Sequence, residues 1–171
     1  ETLSLRQILE HYIEFQYELT TRKYHTLLAK EQEKREIQEG LIKACEVIDL
    51  IIEILRGSKN IKDAKACLTA GITDGIRFKS EASKKRAAKL HFTERQAQAI
   101  LEMRLYRLIG LEIQALMEEN QKTLKNIAEY EDILENHSSM TRVILKDMDT
   151  IKKAYARPRR TAVENAEAIV F

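Results

Sequence analysis

Side chains that could bind metals or act as nucleophiles are scattered along this sequence. The four histidines are far apart: His11, His25, His91 and His137. None pairs with another at the close spacing of a zinc ligand set. Cys45 and Cys67 lie in apolar stretches with no histidine at the spacing of a nucleophile and its base, and no glycine-rich phosphate loop occurs. We therefore predict no metal, cofactor or catalytic residue, and a reduced, cytoplasmic thiol pair.

Basic side chains cluster in two places and suggest a different chemistry, contact with phosphate. Segment 77–89 carries a run of lysines and arginines with a single acid, Glu81, and further arginines flank the only proline, Pro158. Such runs either bind the backbone of nucleic acid or form a solvated face, and both readings remain open. The candidate DNA contacts are Lys84, Lys85, Arg86, Arg159 and Arg160.

Composition predicts that helices position these side chains. Of 171 residues, 33% are charged and only 6% aromatic, with one proline and five glycines. That balance disfavours an all-β fold, which needs frequent turns and many aromatic or β-branched residues. We predict an all-α fold. The net charge of +2 argues neither for nor against nucleic acid.

A heptad pattern opens the chain, with apolar side chains three and four residues apart at Leu5, Ile8, Tyr12, Phe15 and Leu19. This spacing predicts a helix that packs lengthwise against another helix. The polar segment 29–36 predicts a solvent-exposed stretch of the same helix. Because no proline intervenes, we predict one helix from Leu3 to Arg56, with Gly40 as its only weak point and a candidate bend.

A short helix after Thr93 has apolar side chains on two sides. Thr93 and Gln96 fit a capping box, and Gly110 fits a C-cap, so the predicted helix spans 93–109. One face carries Ala97, Ile100, Leu101, Leu105 and Leu108. The opposite face carries Ala99, Met103 and Tyr106. The second face either meets a partner or belongs to the same core. The candidate dimer-interface residues are Gln96, Ala99, Met103 and Tyr106.

The second half of the chain returns to heptad spacing, at Ile113, Leu116, Asn120, Leu124, Ile127 and Leu134. This predicts a second long helix that pairs with the first as an antiparallel coiled coil. Four segments are expected: a first arm at 1–56, a helical head at 57–110, a return arm at 111–157 and a C-terminal segment at 158–171. The sequence begins at Glu1 without an initiator Met, which we interpret as a fragment of a longer protein.

Three motifs resemble one known family across essentially the whole chain. Thr93–Glu112 reads TERQAQAILEMRLYRLIGLE. It is similar to the QAQAIL-x-x-RL-x-x-LTGLE motif in the A subunits of bacterial DNA gyrase and topoisomerase IV, with Ile109 where threonine is usual. Ile37–Ile42 resembles the family's ILEGL, with Gln38 in place of leucine. Arg159, Arg160 and Thr161 match the RRT that follows its coiled coil.

The resemblance implies a mechanical function. In that family this region is an antiparallel coiled coil tipped by a small helical head, which dimerises and closes the exit gate, or C-gate, for a transported DNA duplex. The implied partners are a second copy, the duplex and the ATPase subunit (the B subunit), with no membrane. ATP and Mg belong to that partner subunit, and no tyrosine here has the family's Arg-Tyr-Thr context, so this segment is not expected to be catalytic on its own. The alternative is a homodimeric coiled-coil scaffold or adaptor unrelated to DNA.

Overall fold

The computed structural model describes residues 2–104 and 110–163, and every regular element in these ranges is an α-helix. The described helices are α1 (Leu5–Glu46), α2 (Ile48–Gly57), α3 (Ile61–Ala70), α4 (Glu81–Ala87), α5 (Glu94–Leu101), α6 (Gly110–Glu135) and α7 (His137–Tyr155). The all-α fold class predicted from composition is thereby confirmed for this part of the chain. No helix in these ranges combines the length and apolar character needed to cross a bilayer.

Contacts divide the described residues into two units, and the first comprises 2–23 with 132–163. Here the start of α1 contacts α7: the Tyr17 ring stacks on His137 with centroids 4.9 Å apart, and its hydroxyl hydrogen-bonds Thr141. Met140 of α7 is buried and accepts a hydrogen bond from the Thr21 hydroxyl.

The heptad residues at the start of α1 are exposed within the first unit. We call Leu5, Ile8, Tyr12, Phe15 and Leu19 the N-terminal seam. Their exposure runs from 41% at Leu19 to 74% at Leu5. The prediction that these residues pack along another helix is therefore wrong for the described residues. The reason is that α7 contacts α1 through Tyr17 and Thr21, which are not members of the seam.

The second unit comprises 24–104 and 110–131 and contains the main core. Helix α3 packs against α5, and α2 packs against α3 and α4. The head core, as we call it, consists of these buried apolar residues: Leu41, Ala44, Leu50, Ile51, Ile54, Ala64, Cys67, Leu68, Ile76, Ala87, Leu90, Phe92, Ala97, Ile100 and Leu116. Because α1 and α6 each contribute to it, the head core joins the short helices to both long ones.

The single helix predicted from Leu3 to Arg56 is interrupted at Val47, so the prediction of one continuous helix is wrong at that residue. Gly40, the expected weak point, lies inside α1. The physical reason is the direction in which the apolar side chains point around the helix axis. On one straight helix, Leu41 and Leu50 would lie about 180° apart. Both belong to the head core, so the break lets α1 and α2 each turn its apolar side inward.

The predicted helix 93–109 ends early, at Leu101, with Glu102 at the C-cap. The same geometry explains the difference, because Leu101 and Met103 would point about 200° apart on a continuous helix. Both are partly buried against the head core instead. Gly110 is the first described residue of α6 and not the cap of α5. Residues 105–109 of the predicted helix lie outside the described residues.

Within the second unit, α1 and α6 run antiparallel, as predicted for the hairpin. The rings of Tyr24 and Tyr130 meet edge to face at 5.5 Å, and further along α1 the Glu31 carboxylate accepts from Asn126, earlier in α6. The segment 29–36 is mostly exposed, as predicted, but Glu31 within it is only 8% exposed. The predicted register of α6 is wrong at one position, since Thr123 is 4% exposed whereas Leu124, the predicted seam residue, is 38% exposed.

Candidate functional site

The N-terminus of α5 is fixed by the capping box that the sequence predicted. The Thr93 hydroxyl accepts from the Gln96 amide at 3.2 Å, and the Gln96 side chain accepts from the Thr93 amide at 3.0 Å. Each side chain satisfies a backbone donor that helix geometry leaves without a partner. The first turn of α5 is therefore held in a defined position.

The same two residues attach α5 to α1. Gln96 Nε2 donates to the Glu36 carbonyl at 2.8 Å, and the Thr93 hydroxyl donates to the Glu36 carboxylate at 2.6 Å. Gly40 allows this approach, since a Cβ there would lie 2.5 Å from Gln96 Cγ. Gly40 is thus a packing site for Gln96 rather than a break in α1. The signal that could have revealed it is the one glycine inside an otherwise continuous helical pattern.

The predicted interface residues fall into three situations. Gln96 is half-buried and bonded within the chain. Ala99 and Met103 are half-buried, with part of each side chain against the head core. Tyr106 lies outside the described residues. The structure therefore places Gln96 and Ala99 on α5 and Met103 directly after its C-cap.

An open groove lies beside α5, with Ile37 of α1 and Ala99 of α5 as its apolar members. Its volume is about 410 Å³. The polar members of its lining are Lys65, Glu94, Arg95, Gln98 and Glu102. Arg95 also reaches Glu33 of α1 at 3.2 Å. An apolar floor with a mixed-charge rim suits contact with another protein surface, whose side chains exclude water from the floor.

The basic candidates are all exposed. Ser80 caps α4 by accepting from the Ser83 amide at 3.1 Å, and α4 then displays Lys84, Lys85 and Arg86. Arg159 and Arg160 are exposed after the end of α7. These side chains form no ion pair with any residue in the described ranges, so their charge is available to an anionic partner.

Metal-binding side chains and cysteines were the other candidates for chemistry. No group of three His, Cys, Asp or Glu residues within 2–104 and 110–163 is arranged to hold a metal ion. Burial raises the pKa of the Cys45 thiol and of the Cys67 thiol, which lowers the fraction of reactive thiolate. Both cysteines are free.

Comparisons with known proteins agree with the motifs. The family model for the A subunit of DNA gyrase/topoisomerase IV matches residues 1–149. The DNA gyrase A subunit of Clostridium acetobutylicum is 36% identical over 167 residues, which is 98% of this chain and 18% of the relative. The DNA topoisomerase 4 A subunit of Bacillus subtilis is 36% identical over 162 residues, covering 95% of this chain and 18% of the relative. The chain thus spans 18% of the length of these relatives, and it belongs to the family of DNA gyrase/topoisomerase IV A subunits.

Proposed function

We propose that this chain is the C-gate of a type IIA DNA topoisomerase, where two copies of the A subunit meet and part to release a transported DNA duplex. The observation that carries the proposal is the surface beside α5, in a chain of this family. There the half-buried side chains of Ile37 and Ala99 line an open groove, although both also pack partly against the head core. A helix with apolar residues on two sides gains stability when a partner covers the second side.

The rim of the groove is suited to self-association. It presents acids, Glu94 and Glu102, together with bases, Lys65 and Arg95. In a two-fold symmetric interface the same patch meets itself, so each acid can face the base of the other copy. A patch of one charge would repel its twin. Gln98 adds a group that can donate and accept hydrogen bonds.

The proposed role is mechanical. Contacts between the two heads hold the gate shut, and their reversible loss opens it. The energy for the cycle would come from ATP hydrolysis on the ATPase subunit of the complete enzyme, with Mg bound there. The 171 residues alone are expected to show neither DNA cleavage nor relaxation. Membership of the family favours this role over a coiled-coil scaffold unrelated to DNA.

Light scattering and sedimentation equilibrium of the purified chain test the dimer. We expect a dimer at high micromolar concentration, and the variant Ala99→Glu should shift it to monomer, because an added carboxylate in the groove stays solvated only when the copies separate. Ala82→Glu is the matched control, since Ala82 is exposed on α4. A monomeric wild-type chain at these concentrations refutes the proposal, as does an Ala99→Glu dimer as tight as that of the control.

The exposed basic face of α4 supports a second, weaker interaction, with the phosphates of the duplex. We expect affinity for duplex DNA to fall with rising salt, and reversal of Lys84, Lys85 and Arg86 to Glu to reduce both the affinity and the salt slope. The control reverses three exposed lysines elsewhere: Lys30, Lys59 and Lys62. Equal losses in the two variants would show a general effect of net charge and leave α4 as a solvated face.

A further inference from the structure

Polar side chains interrupt the pairing of α1 and α6 inside the second unit. On α1, Glu31 is buried and Gln38 is half-buried, Lys34 between them is exposed, and apolar Leu41 follows. On α6 the buried or half-buried polar residues are Asn120, Thr123 and Asn126, between Leu116 and Ile127. Across the helix pair, Glu31, Lys34 and Gln38 line one open groove of about 260 Å³ with Thr123 and Asn126. We call Glu31, Lys34, Gln38, Asn120, Thr123 and Asn126 the polar layer.

Hydrogen bonding in the polar layer is incomplete. Gln38 Oε1 and Asn120 Oδ1 are buried and have no partner among the described residues. The Thr123 hydroxyl donates to the carbonyl of Glu119 on its own helix. The side-chain bond that crosses between the helices here, from Asn126 Nδ2 to Glu31 Oε2, is long at 3.4 Å. Polar groups buried in this way lose hydration and regain little from the protein.

A charge adds to this cost. The Glu31 side chain is 11% exposed and pairs with Lys34 at 2.8 Å on its own helix. That hydrogen bond holds the pKa of the Glu31 carboxyl below its usual range, so the carboxylate stays ionised at neutral pH. Because Lys34 also belongs to α1, its attraction persists when α6 moves away. The ion pair therefore stabilises α1 without stabilising the pairing of the two helices.

Apolar contacts lie on both sides of the layer. Towards one end, Ile127 is 5% exposed and Tyr24 meets Tyr130. Towards the other, Leu41 and Leu116, both 7% exposed, enter the head core. Separating the helices at these flanks exposes apolar surface, whereas separating them at the polar layer rehydrates amide, hydroxyl and carboxylate groups.

We propose that the polar layer is a built-in opening point, where α1 and α6 part and admit water before either apolar flank does. Polar residues at inward coiled-coil positions are known to fix register at a cost in stability. Here the long Asn126–Glu31 hydrogen bond fixes the register of α1 against α6. The amide oxygens without partners weaken the pairing of the two helices at this point. The opening point would let the helix pair flex between its apolar flanks while the head core stays intact.

Amide hydrogen exchange of the wild-type protein tests this directly. Amides of residues 31–38 should exchange about tenfold faster or more than those of 24–28 and 41–44 in the same continuous helix. Fraying from a helix end gives protection that changes steadily along α1, so a minimum in the middle is specific to the polar layer. Protection at 31–38 that equals or exceeds both flanks overturns the proposal.

Replacing two polar side chains of the polar layer with leucine gives the second test. The double variant Gln38→Leu and Asn120→Leu should slow exchange at 31–38 by about tenfold and raise the thermal midpoint, because apolar replacements of buried polar groups commonly stabilise. The matched control is Gln32→Leu with Gln121→Leu, since both glutamines are exposed on the same two helices. A filled variant whose exchange is no slower than that of the control overturns the proposal. If the variant does not fold, the wild-type exchange profile decides.

Discussion

The head core and the N-terminal seam are both built from apolar residues at helical spacing, yet they differ in burial. Ile54 and Leu68 of the head core are 0% exposed, whereas Leu5 and Ile8 of the seam are 74% and 52% exposed. Local sequence does not explain the difference, because both sets lie on α-helices. The difference is whether another element of the described chain covers the apolar face. Apolar periodicity therefore identifies a helix face that is stabilised by burial. Tertiary contacts decide whether that face is in fact buried.

The largest effect should come from removing side-chain volume in the head core. Leu68→Ala should lower the free energy of unfolding by about 3 kcal/mol, since a fully buried leucine loses its transfer energy and leaves a cavity. Urea titration of both proteins measures the loss. A cost under about 1 kcal/mol would mean that the core collapses around the gap and is less rigid than its burial indicates.

The second-largest loss of stability should come from backbone strain in the second unit. Gly71 ends α3 with φ +68°, and a Cβ there would lie 2.3 Å from the Ala88 carbonyl oxygen. Gly71→Ala should cost about 2 kcal/mol, from the left-handed backbone and the collision together. Gly75→Ala separates the two causes, because Gly75 has φ +77° with open space around its Cβ. Equal thermal shifts in the two variants would show that the collision relaxes freely.

Loss of the α5 cap should have a smaller effect. Thr93→Ala removes the hydroxyl that accepts from the Gln96 amide and donates to Glu36, at a cost of about 1 kcal/mol. Thr93→Ser keeps the hydroxyl and should restore most of the stability. Chemical denaturation compares the three proteins. If serine behaves like alanine, the threonine methyl rather than the capping bond provides the stabilisation.

Acid should weaken the junction of α6 and α7 in the first unit. The Asp132 carboxylate accepts from Ser139 at 2.7 Å and from Asn136, and these bonds lower its pKa below the ordinary 3.8. A lowered pKa contributes stability that is complete above pH 3.8 and is lost as the pH falls through the folded-state value. Carboxyl NMR titration should show this midpoint, and Asp132→Asn should remove this part of the pH dependence of unfolding.

The smallest effect is expected in the N-terminal seam. Ile8→Ala should change the stability of the monomeric chain by less than about 0.5 kcal/mol, since Ile8 is exposed and alanine favours helix. Differential scanning calorimetry at low concentration measures it. A loss approaching that of Leu68→Ala would contradict the comparison and reveal that the seam is covered in solution.

Local rules predicted much of the fold. The sequence predicts Thr93 as a helix cap, and its side chain accepts a backbone hydrogen bond as expected. Asn60 and Ser80 cap α3 and α4 in the same way. These motifs depend on residues within one turn, so the sequence suffices. The breaks at Val47 and after Leu101 were missed, because each serves the shared head core and neither has a proline or glycine to mark it.

The candidate site was predicted only in part. The position of α5 follows from its motif, and Ala99 does line an open groove. The bond from Gln96 to Glu36 and the fit of Gly40 were missed, since they join residues far apart in the chain. The register of α6 was also predicted wrongly at Leu124. The prediction chose Leu124 as the inward residue because it is more apolar than Thr123, but Thr123 is the buried one.

The sequence by itself determined the helical class, the capped helix starts and, through its motifs, the family. Each of these depends on patterns among residues that are close together in the sequence. Such patterns can be recognised without knowing which other elements the residues contact. Only the tertiary structure decided which apolar faces are covered, where α1 stops and that a carboxylate at Glu31 lies between two helices. Burial is a property of the whole packed unit, and a residue acquires it from neighbours that its own local sequence does not specify.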